Sequence, residues 1–309
     1  MTTFGDQVFQ YGGVPVGGVF TTGSSFFVHS GTGSDSNSGK KPSEALATLD
    51  VAVGKCTASK GDVIYLMPGH AESLTAQDID IDVAGVSVIG LGSGALKPTF
   101  TYAHANAEIA VGAANVTIKG VRFFPAITGV LRGVDVEATF AHATIEDCDF
   151  LTGEDVGVDE FVDAVYVNTT ATDFTFRNNT MDAGLAGAAA GVTLATPTRA
   201  KIHDNTIMGD FSVACVRTIT GAGVLCELMD NVIINGQAGA LGAVACFTQS
   251  AAGTWIVGGN RFAADVASFV LFFTNYTSTV NLGNLYTDDT TMAATAVDRS
   301  TAIPVSADT

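Results

Sequence analysis

The stretch that decides the fold is Ala200-Lys201-Ile202-His203-Asp204-Asn205-Thr206-Ile207. Apolar residues stand at its first, third and eighth positions, and Asn stands at the sixth. The same order (apolar, x, apolar, x, x, Asn or a stand-in, x, apolar) recurs in both directions along the chain. Upstream it reads VTIKGVRF at 116–123, ATIEDCDF at 143–150 and FTFRNNTM at 174–181, with an earlier partner, VSVIGLG, at 86–92. Downstream it reads CELMDNVI at 226–233 and WIVGGNRF at 255–262, and a shortened version, VNLGNLY, at 280–286. The residues Asn179, Asn205, Asn231 and Asn260 follow one another at intervals of 26, 26 and 29. Cys148 and Val121 hold the same slot in earlier copies, at spacings of 31 and 27.

A second apolar pair precedes each copy: Ile109/Val111, Val134/Val136, Val165/Val167, Val192/Leu194, Val244/Cys246 and Val270/Phe272. Alternation of period 2 is strand geometry. No stretch between copies is long enough for the helices of leucine-rich or barrel-type repeats. A period of about 26 residues built from short strands alone is one coil of a parallel β-helix. Stacked coils bring equivalent residues into rows: Ile118, Ile145, Phe176, Ile202, Leu228 and Val257; and Phe123, Phe150, Met181, Ile207, Ile233 and Phe262. Cys148, Asn179, Asn205, Asn231 and Asn260 form the expected structural ladder, in which each amide bonds its neighbour and the local backbone. About eight coils at roughly 4.8 Å each make a rod about 40 Å long.

Composition agrees. Of 309 residues, 35 are glycine, 47% are hydrophobic and 15% are charged, against a usual charged share near 25%. So apolar a chain is not intrinsically disordered. With 31 acidic and 14 basic side chains the formal net charge is −17, which disfavours nucleic acid as a partner. No run approaches the roughly 18 apolar residues of a membrane span, so no membrane contact is expected. The N-terminus, MTTFGDQVFQ, has no basic region of the secretory kind. Cys56, Cys148, Cys215, Cys226 and Cys246 lack paired metal-ligand spacing and read as reduced, buried thiols of a chain made in the cytosol.

The repeats, with Ile202–Asn205 and Leu228–Asn231 as their I-x-x-N core, resemble the parallel β-helix repeat of pectate-lyase-like proteins. The stretch before them is similar to the opening module of that superfamily. It holds Phe27-Val28, the turn Gly33-Ser34-Asp35-Ser36-Asn37-Ser38-Gly39, an amphipathic stretch from Ser43 to Cys56, and Gly61-Asp62-Val63-Ile64-Tyr65-Leu66-Met67-Pro68-Gly69. The resemblance implies a right-handed, single-stranded, all-β parallel β-helix over 26–290, with a capping helix near 43–57. Ala45, Leu49, Val53 and Cys56 would form the buried side of that helix. For function the resemblance says little, because the fold hosts lyases, hydrolases, epimerases, virus spikes and inert scaffolds.

Residues 1–25 fall outside the resemblance and carry Phe4, Phe9, Tyr11, Val14 and Phe20 among glycines. Such a segment is too short for its own core and is expected to lie on another surface as an extended, partner-binding arm. Residues 291–309 are the expected C-terminal tail or cap. An aromatic arm ahead of a β-helix looks like a phage or prophage virion protein. The expectation is thus a non-enzymatic structural protein of the virion, made in the host cytoplasm, first of all a head decoration or spike protein. The arm would bind other virion proteins such as the major capsid protein; the resemblance alone implies a homotrimer. A tail fibre or tailspike, or a glycosidase or lyase acting on host surface glycan, are the alternatives.

The alternative enzyme would use Asp204 and Asp230. With Asp147 and Asn178 they hold the slot before the ladder residue, where Asp and Asn tolerate left-handed turns. One strand spacing apart, they approach the roughly 5 Å separation of a retaining glycosidase pair. Glu146, Asp147, Asp149, Glu154, Asp155, Asp159, Glu160 and Asp163 make a dense acidic stretch where the repeat lengthens. Asp78, Asp80 and Asp82 alternate with Ile79, Ile81 and Val83 as a strand with an acidic solvent face. His203 and Arg177 are expected beside Glu146 in an exposed polar row. Arg122, Arg132, Arg177, Arg199, Lys201 and Arg217 show no repeated acid–base pairing along the sequence. His29, His70, His104, His142 and His203 never reach metal-ligand spacing. No metal or cofactor is expected.

Overall fold

A computed structural model describes residues 9–11, 14–16, 21–75, 79–151, 159–184, 188–236, 245–264, 273–274, 279–288 and 295–296. The alternating apolar residues turn inward on short strands, and turns of a few residues carry the chain to the next face. Each strand then pairs in parallel with its equivalent one coil later. Three sheets result, holding ten, ten and eight strands, wound as a right-handed parallel β-helix. The first sheet runs from Ser25–Val28 to Thr279–Leu282, the second from Ala71–Leu74 to Leu285–Asp288 and beyond, and the third from Ile79–Asp80 to Phe273–Thr274.

The core is a set of vertical rows. In the first sheet Ile118, Ile145, Phe176, Ile202, Leu228 and Val257 are paired in sequence. In the second, Phe100, Phe123, Phe150, Met181, Ile207, Ile233 and Phe262 follow one another. The Phe123 and Phe150 rings stack at 4.6 Å between centroids, a pairing worth about 0.5–1.5 kcal/mol beyond burial.

At the corner between the first and second sheets stands an asparagine ladder. The backbone N–H of Cys148 donates to Asn179 Oδ1, that of Asn179 to Asn205, that of Asn205 to Asn231 and that of Asn231 to Asn260, all at 2.9–3.0 Å. Each Asn Nδ2 donates to the next Oδ1 and to a carbonyl of the coil before, Ile145 for Asn179 and Ile202 for Asn231. Asn284 extends the ladder, accepting from Asn260 at 2.8 and 2.9 Å. The backbone groups that a tight inward bend would strand in the core are thus satisfied.

Three expectations shift by a residue or more. First, Asn284 sets the register of the last coil, so Asn281 pairs with Val257 and Val280 and Leu282 fall off the core row, while Tyr286 stays in register with Phe262. Val280 and Leu282 are accordingly 52% and 51% exposed, because a slip of one residue exchanges the two faces of a strand. Second, Phe247 rather than Cys246 pairs with Val216. Ala245, Cys246 and Phe247 are all buried, so period 2 gives no phase there. Third, the capping helix is shorter than 43–57: a 3-10 turn at Pro42–Glu44 and an α-helix at Leu49–Val53 flank extended backbone at Ala45. Leu46 is needed elsewhere. Its N–H donates to Phe27 O and its carbonyl accepts from His29 N–H, closing the edge of the first sheet. Leu49, Ala52 and Val53 still cap the core, and Glu72 Oε2 accepts the Leu49 N–H at 3.0 Å.

The opening module is held by its polar residues. Asp62 is buried and accepts the backbone N–H groups of Ser24 and Thr57. Gly33 is required by close approach, since a Cβ there would meet Leu46 O at 2.1 Å. In the N-terminal segment Phe9–Tyr11 pairs antiparallel with Val14–Val16. Phe4 and Phe20 lie outside the described residues, as do residues 1–8.

Candidate functional site

The column before the ladder is a run of left-handed turns. Asp147, Asn178, Asp204 and Asp230 have φ of 55°, 54°, 58° and 55°, and Gly120, Gly259 and Gly283 fill the slot in other coils. These residue types adopt that conformation most readily. The two carboxylates named as an alternative catalytic pair have different surroundings. Asp204 Oδ2 lies 2.7 Å from His203 Nδ1 of its own coil. Asp230 leans over the next coil, where a Cβ on Gly259 would stand 2.0 Å from its Oδ1.

Glu146 occupies the middle of the first sheet's outward face, between Lys119 and Arg177 in register. Its Oε1 accepts from Lys119 Nζ at 2.9 Å and its Oε2 from Arg177 Nε at 2.6 Å. Burial pushes the carboxyl up, but the bonds from Lys119 and Arg177 outweigh it and hold Glu146 below its ordinary value. Lys119 also meets Asp147 at 3.0 Å, and Lys97 meets Asp149 at 2.8 Å. The row Glu146, Arg177, His203 exists as expected, yet Glu146 is buried in it rather than exposed.

A second set lies on the outward face of the third sheet, across Val130–Val136, Phe161–Val167, Ala190–Leu194 and Ala214–Thr218. Asp135 is buried; Arg132 Nη1 donates to it at 2.6 Å and Asn168 Nδ2 at 2.7 Å. Burial raises its carboxyl above the usual range against the opposing pull of Arg132. The Arg132 guanidinium lies 4.0 Å from the centroid of the Tyr166 ring, a cation–π contact. One coil on, Asp163 Oδ1 accepts from Thr193 Oγ1 and from Arg217 Nη2, the latter at 2.9 Å. Arg217 Nε donates to Thr193 Oγ1 at 2.7 Å. Six side chains from four neighbouring strands thus form a continuous polar stripe with one aromatic ring.

The cations show no repeated acid–base pairing along the sequence, but four arginines find carboxylates in the fold. Arg132, Arg177, Arg199 and Arg217 hold Asp135, Glu146, Asp173 and Asp163. Arg199 reaches Asp173 at 2.6 Å and, beside it, holds that carboxyl down to about 2. Of the acidic stretch, Glu146 and Asp163 are buried partners of cations, whereas Glu154 and Asp155 lie outside the described residues. Ile79 and Ile81 are buried and Asp80 and Asp82 exposed, as alternation predicts; Asp78 is outside the described residues. Among the described residues no three His, Cys, Asp or Glu side chains gather as a metal would require. No described helix is long and apolar enough to cross a membrane.

No protein-family model matches the chain, and no curated protein matches it in sequence. Its fold is similar to solved structures. Pectate lyase Pel9A superposes with a TM-score of 0.57, at 12% identity, over 87% of this chain and 78% of its own. A rhamnogalacturonan lyase aligns with a TM-score of 0.43 at 13% identity, over 85% of this chain and 74% of its own. The tailspike of E. coli bacteriophage HK620 in complex with a pentasaccharide aligns with a TM-score of 0.47 at 11% identity, over 85% of this chain and 54% of its own. At these identities the likeness reaches the fold and stops short of activity. The chain is a right-handed parallel β-helix of the architecture seen in pectate lyase Pel9A.

Proposed function

We propose that this chain is a non-enzymatic structural protein of a phage virion, a head decoration or spike protein held to the particle through residues 1–25 and assembled as a homotrimer. One observation supports the reading most. Among the described residues, the buried outward carboxylates serve as clamps between coils. Glu146 is bonded to residues 27 and 31 positions away, and Asp163 to residues 30 and 54 positions away. Such clamps resist separation of the coils, which is what a projecting rod needs. A hydrolase instead needs an acid and a base positioned to move protons, whereas Asp204 and Asp230 stand in left-handed turns, with Asp204 turned to His203 of its own coil. Electron microscopy of particles labelled against this protein tests the reading. Label on heads supports it, label on tails favours a tail fibre or tailspike, and unlabelled particles overturn it. A monomer by light scattering at micromolar concentration overturns the trimer.

The polar stripe on the third sheet favours a second reading, in which the rod binds a host glycan. Arg132, Asp135, Tyr166, Asp163, Thr193 and Arg217 combine hydrogen-bonding groups with an aromatic ring, the mixture that orients a polar ligand. Host capsule binding lost in Arg217→Ala separates this reading from the first. Reducing ends released from that capsule, and abolished by Asp204→Asn, would replace both with a glycosidase or lyase.

A further inference from the structure

We infer that Cys215 and Cys246 are an oxidation site, two thiols on successive coils placed to close a disulfide across the third sheet. The pairs Ala214–Ala245 and Val216–Phe247 flank them, so the two cysteines face each other in the parallel ladder. Neighbouring strands stand about 4.8 Å apart, inside the roughly 4.4–6.8 Å that a disulfide spans between Cα atoms. Both residues are fully buried. The Cys246 thiol donates to Ala263 O at 3.2 Å. The remaining cysteines have other neighbours. Cys226 pairs with Trp255, Cys148 sits at the start of the asparagine ladder, and Cys56 follows the capping helix.

The chemistry needs a two-electron oxidant, and a peroxide suffices. One thiolate attacks the peroxide oxygen, giving a sulfenic acid and one water from hydrogen peroxide. The second sulfur then displaces the sulfenic hydroxyl as a second water, and the S–S bond forms; two thiol protons and two electrons have left. Burial pushes the Cys215 thiol well up, so thiolate is scarce at neutral pH and the reaction is slow in the intact rod. It quickens at alkaline pH or when the coils part locally. The product closes a loop of about 30 residues around the strand Ala214–Thr218, which carries Arg217 of the polar stripe. Oxidation would therefore stiffen the coils beside that stripe.

The test treats the purified full chain with excess hydrogen peroxide at pH 8.5, quenches it, denatures it and alkylates the remaining thiols. The expected result is a peptide linking Cys215 to Cys246, with Cys56, Cys148 and Cys226 alkylated and Tm raised by about 5–10 °C. Cys215→Ser should remove the linked peptide and the Tm shift together, and Cys246→Ser should do the same if the first variant fails to fold. Five alkylated cysteines after oxidation, sulfinic acids at 215 and 246 without a link, or a link joining any other pair would overturn the assignment.

Discussion

Replacing Asn231 by alanine tests the ladder where it is most continuous. Asn231 is 1% exposed. Its Oδ1 accepts from Asn205 N–H at 3.0 Å and Asn205 Nδ2 at 2.9 Å, and its Nδ2 donates to Ile202 O at 3.0 Å and Asn260 Oδ1 at 2.9 Å. Alanine deletes all four bonds. The Asn205 amide still reaches Phe176 O and His203 O, so its loss is small. The buried backbone N–H of Asn205 loses the acceptor that the ladder supplied, and an orphaned group of that kind costs about 1–3 kcal/mol. With the amide donor to Ile202 O gone and a small cavity left, the expected loss is about 3–5 kcal/mol. Asn231→Asp separates the contributions. The carboxylate keeps both acceptor bonds but turns an oxygen toward Ile202 O and Asn260 Oδ1, and it is buried. Its folded pKa must lie above the unfolded value near 3.9. The penalty is therefore full above the folded pKa and fades as pH falls through it, when a protonated acid can donate again. Urea unfolding followed by far-UV circular dichroism at pH 7 and pH 4.5 reads both. An alanine variant within about 1 kcal/mol of the parent, at unchanged m-value, would refute the ladder as a stabilising element.

Two further outcomes follow from the same geometry. Glu146→Gln should cost about 1–2 kcal/mol at pH 7, a modest value because Lys119 and Arg177 are 42% and 45% exposed and regain water. Because the folded carboxyl titrates below its unfolded value of 4.5, its contribution is full above that value and disappears as pH falls through the folded pKa; thermal melts of parent and variant should converge progressively as pH falls below 4.5. Val280→Ser and Leu282→Ser together should change stability by less than about 0.5 kcal/mol each. A loss of several kcal/mol in chemical denaturation would mean that VNLGNLY packs inward and that the register set by Asn284 is wrong.

The period of the sequence carried the coil, the core rows and the ladder because each depends on residues eight positions apart or fewer, repeated. The left-handed column was legible for the same reason: Asp and Asn before the ladder residue mark the turn by chemistry alone. What escaped the sequence depends on contacts between coils. Arg217 finds Asp163 across 54 residues, and no local pattern announces it; the repeat does place Arg177 beside Glu146, but not the burial of Glu146 in that row. Asn284 escaped because the shortened copy offered two conflicting registers, one placing Val280 and Leu282 inside and one placing Asn284 on the ladder. The ladder bonds of the buried Asn284 amide, from Asn260 N–H and Nδ2 and to Val257 O, outweigh two exposed aliphatic side chains, which lose only roughly 1.5–3 kcal/mol each by staying in water. Leu46 left the capping helix by the same kind of competition, since a helix of one more turn would have left the first-sheet edge uncovered.

The charge pattern follows from stacking itself. On the outward face of a parallel sheet every side chain has a neighbour on each side at about 4.8 Å, so like charges on successive coils repel and opposite charges attract. Lys119, Glu146 and Arg177 alternate in sign up the first sheet. Asp173 and Arg199 do so at the next corner, and Asp163 and Arg217 flank Thr193 on the third sheet. At least seven of the 14 basic residues (Lys97, Lys119, Arg122, Arg132, Arg177, Arg199 and Arg217) hold carboxylates in this way. The scarce cations stand where carboxylates are buried, and much of the −17 is left to exposed turns and loops. There dissolved salt screens it beyond a Debye length of roughly 8–10 Å. The same negative charge that weakly opposes coiling also opposes the edge-to-edge association that open β-sheets invite. A strongly acidic surface over locally neutralised columns is therefore a consistent solution for a stack of coils, and it requires no cation-binding site to explain it.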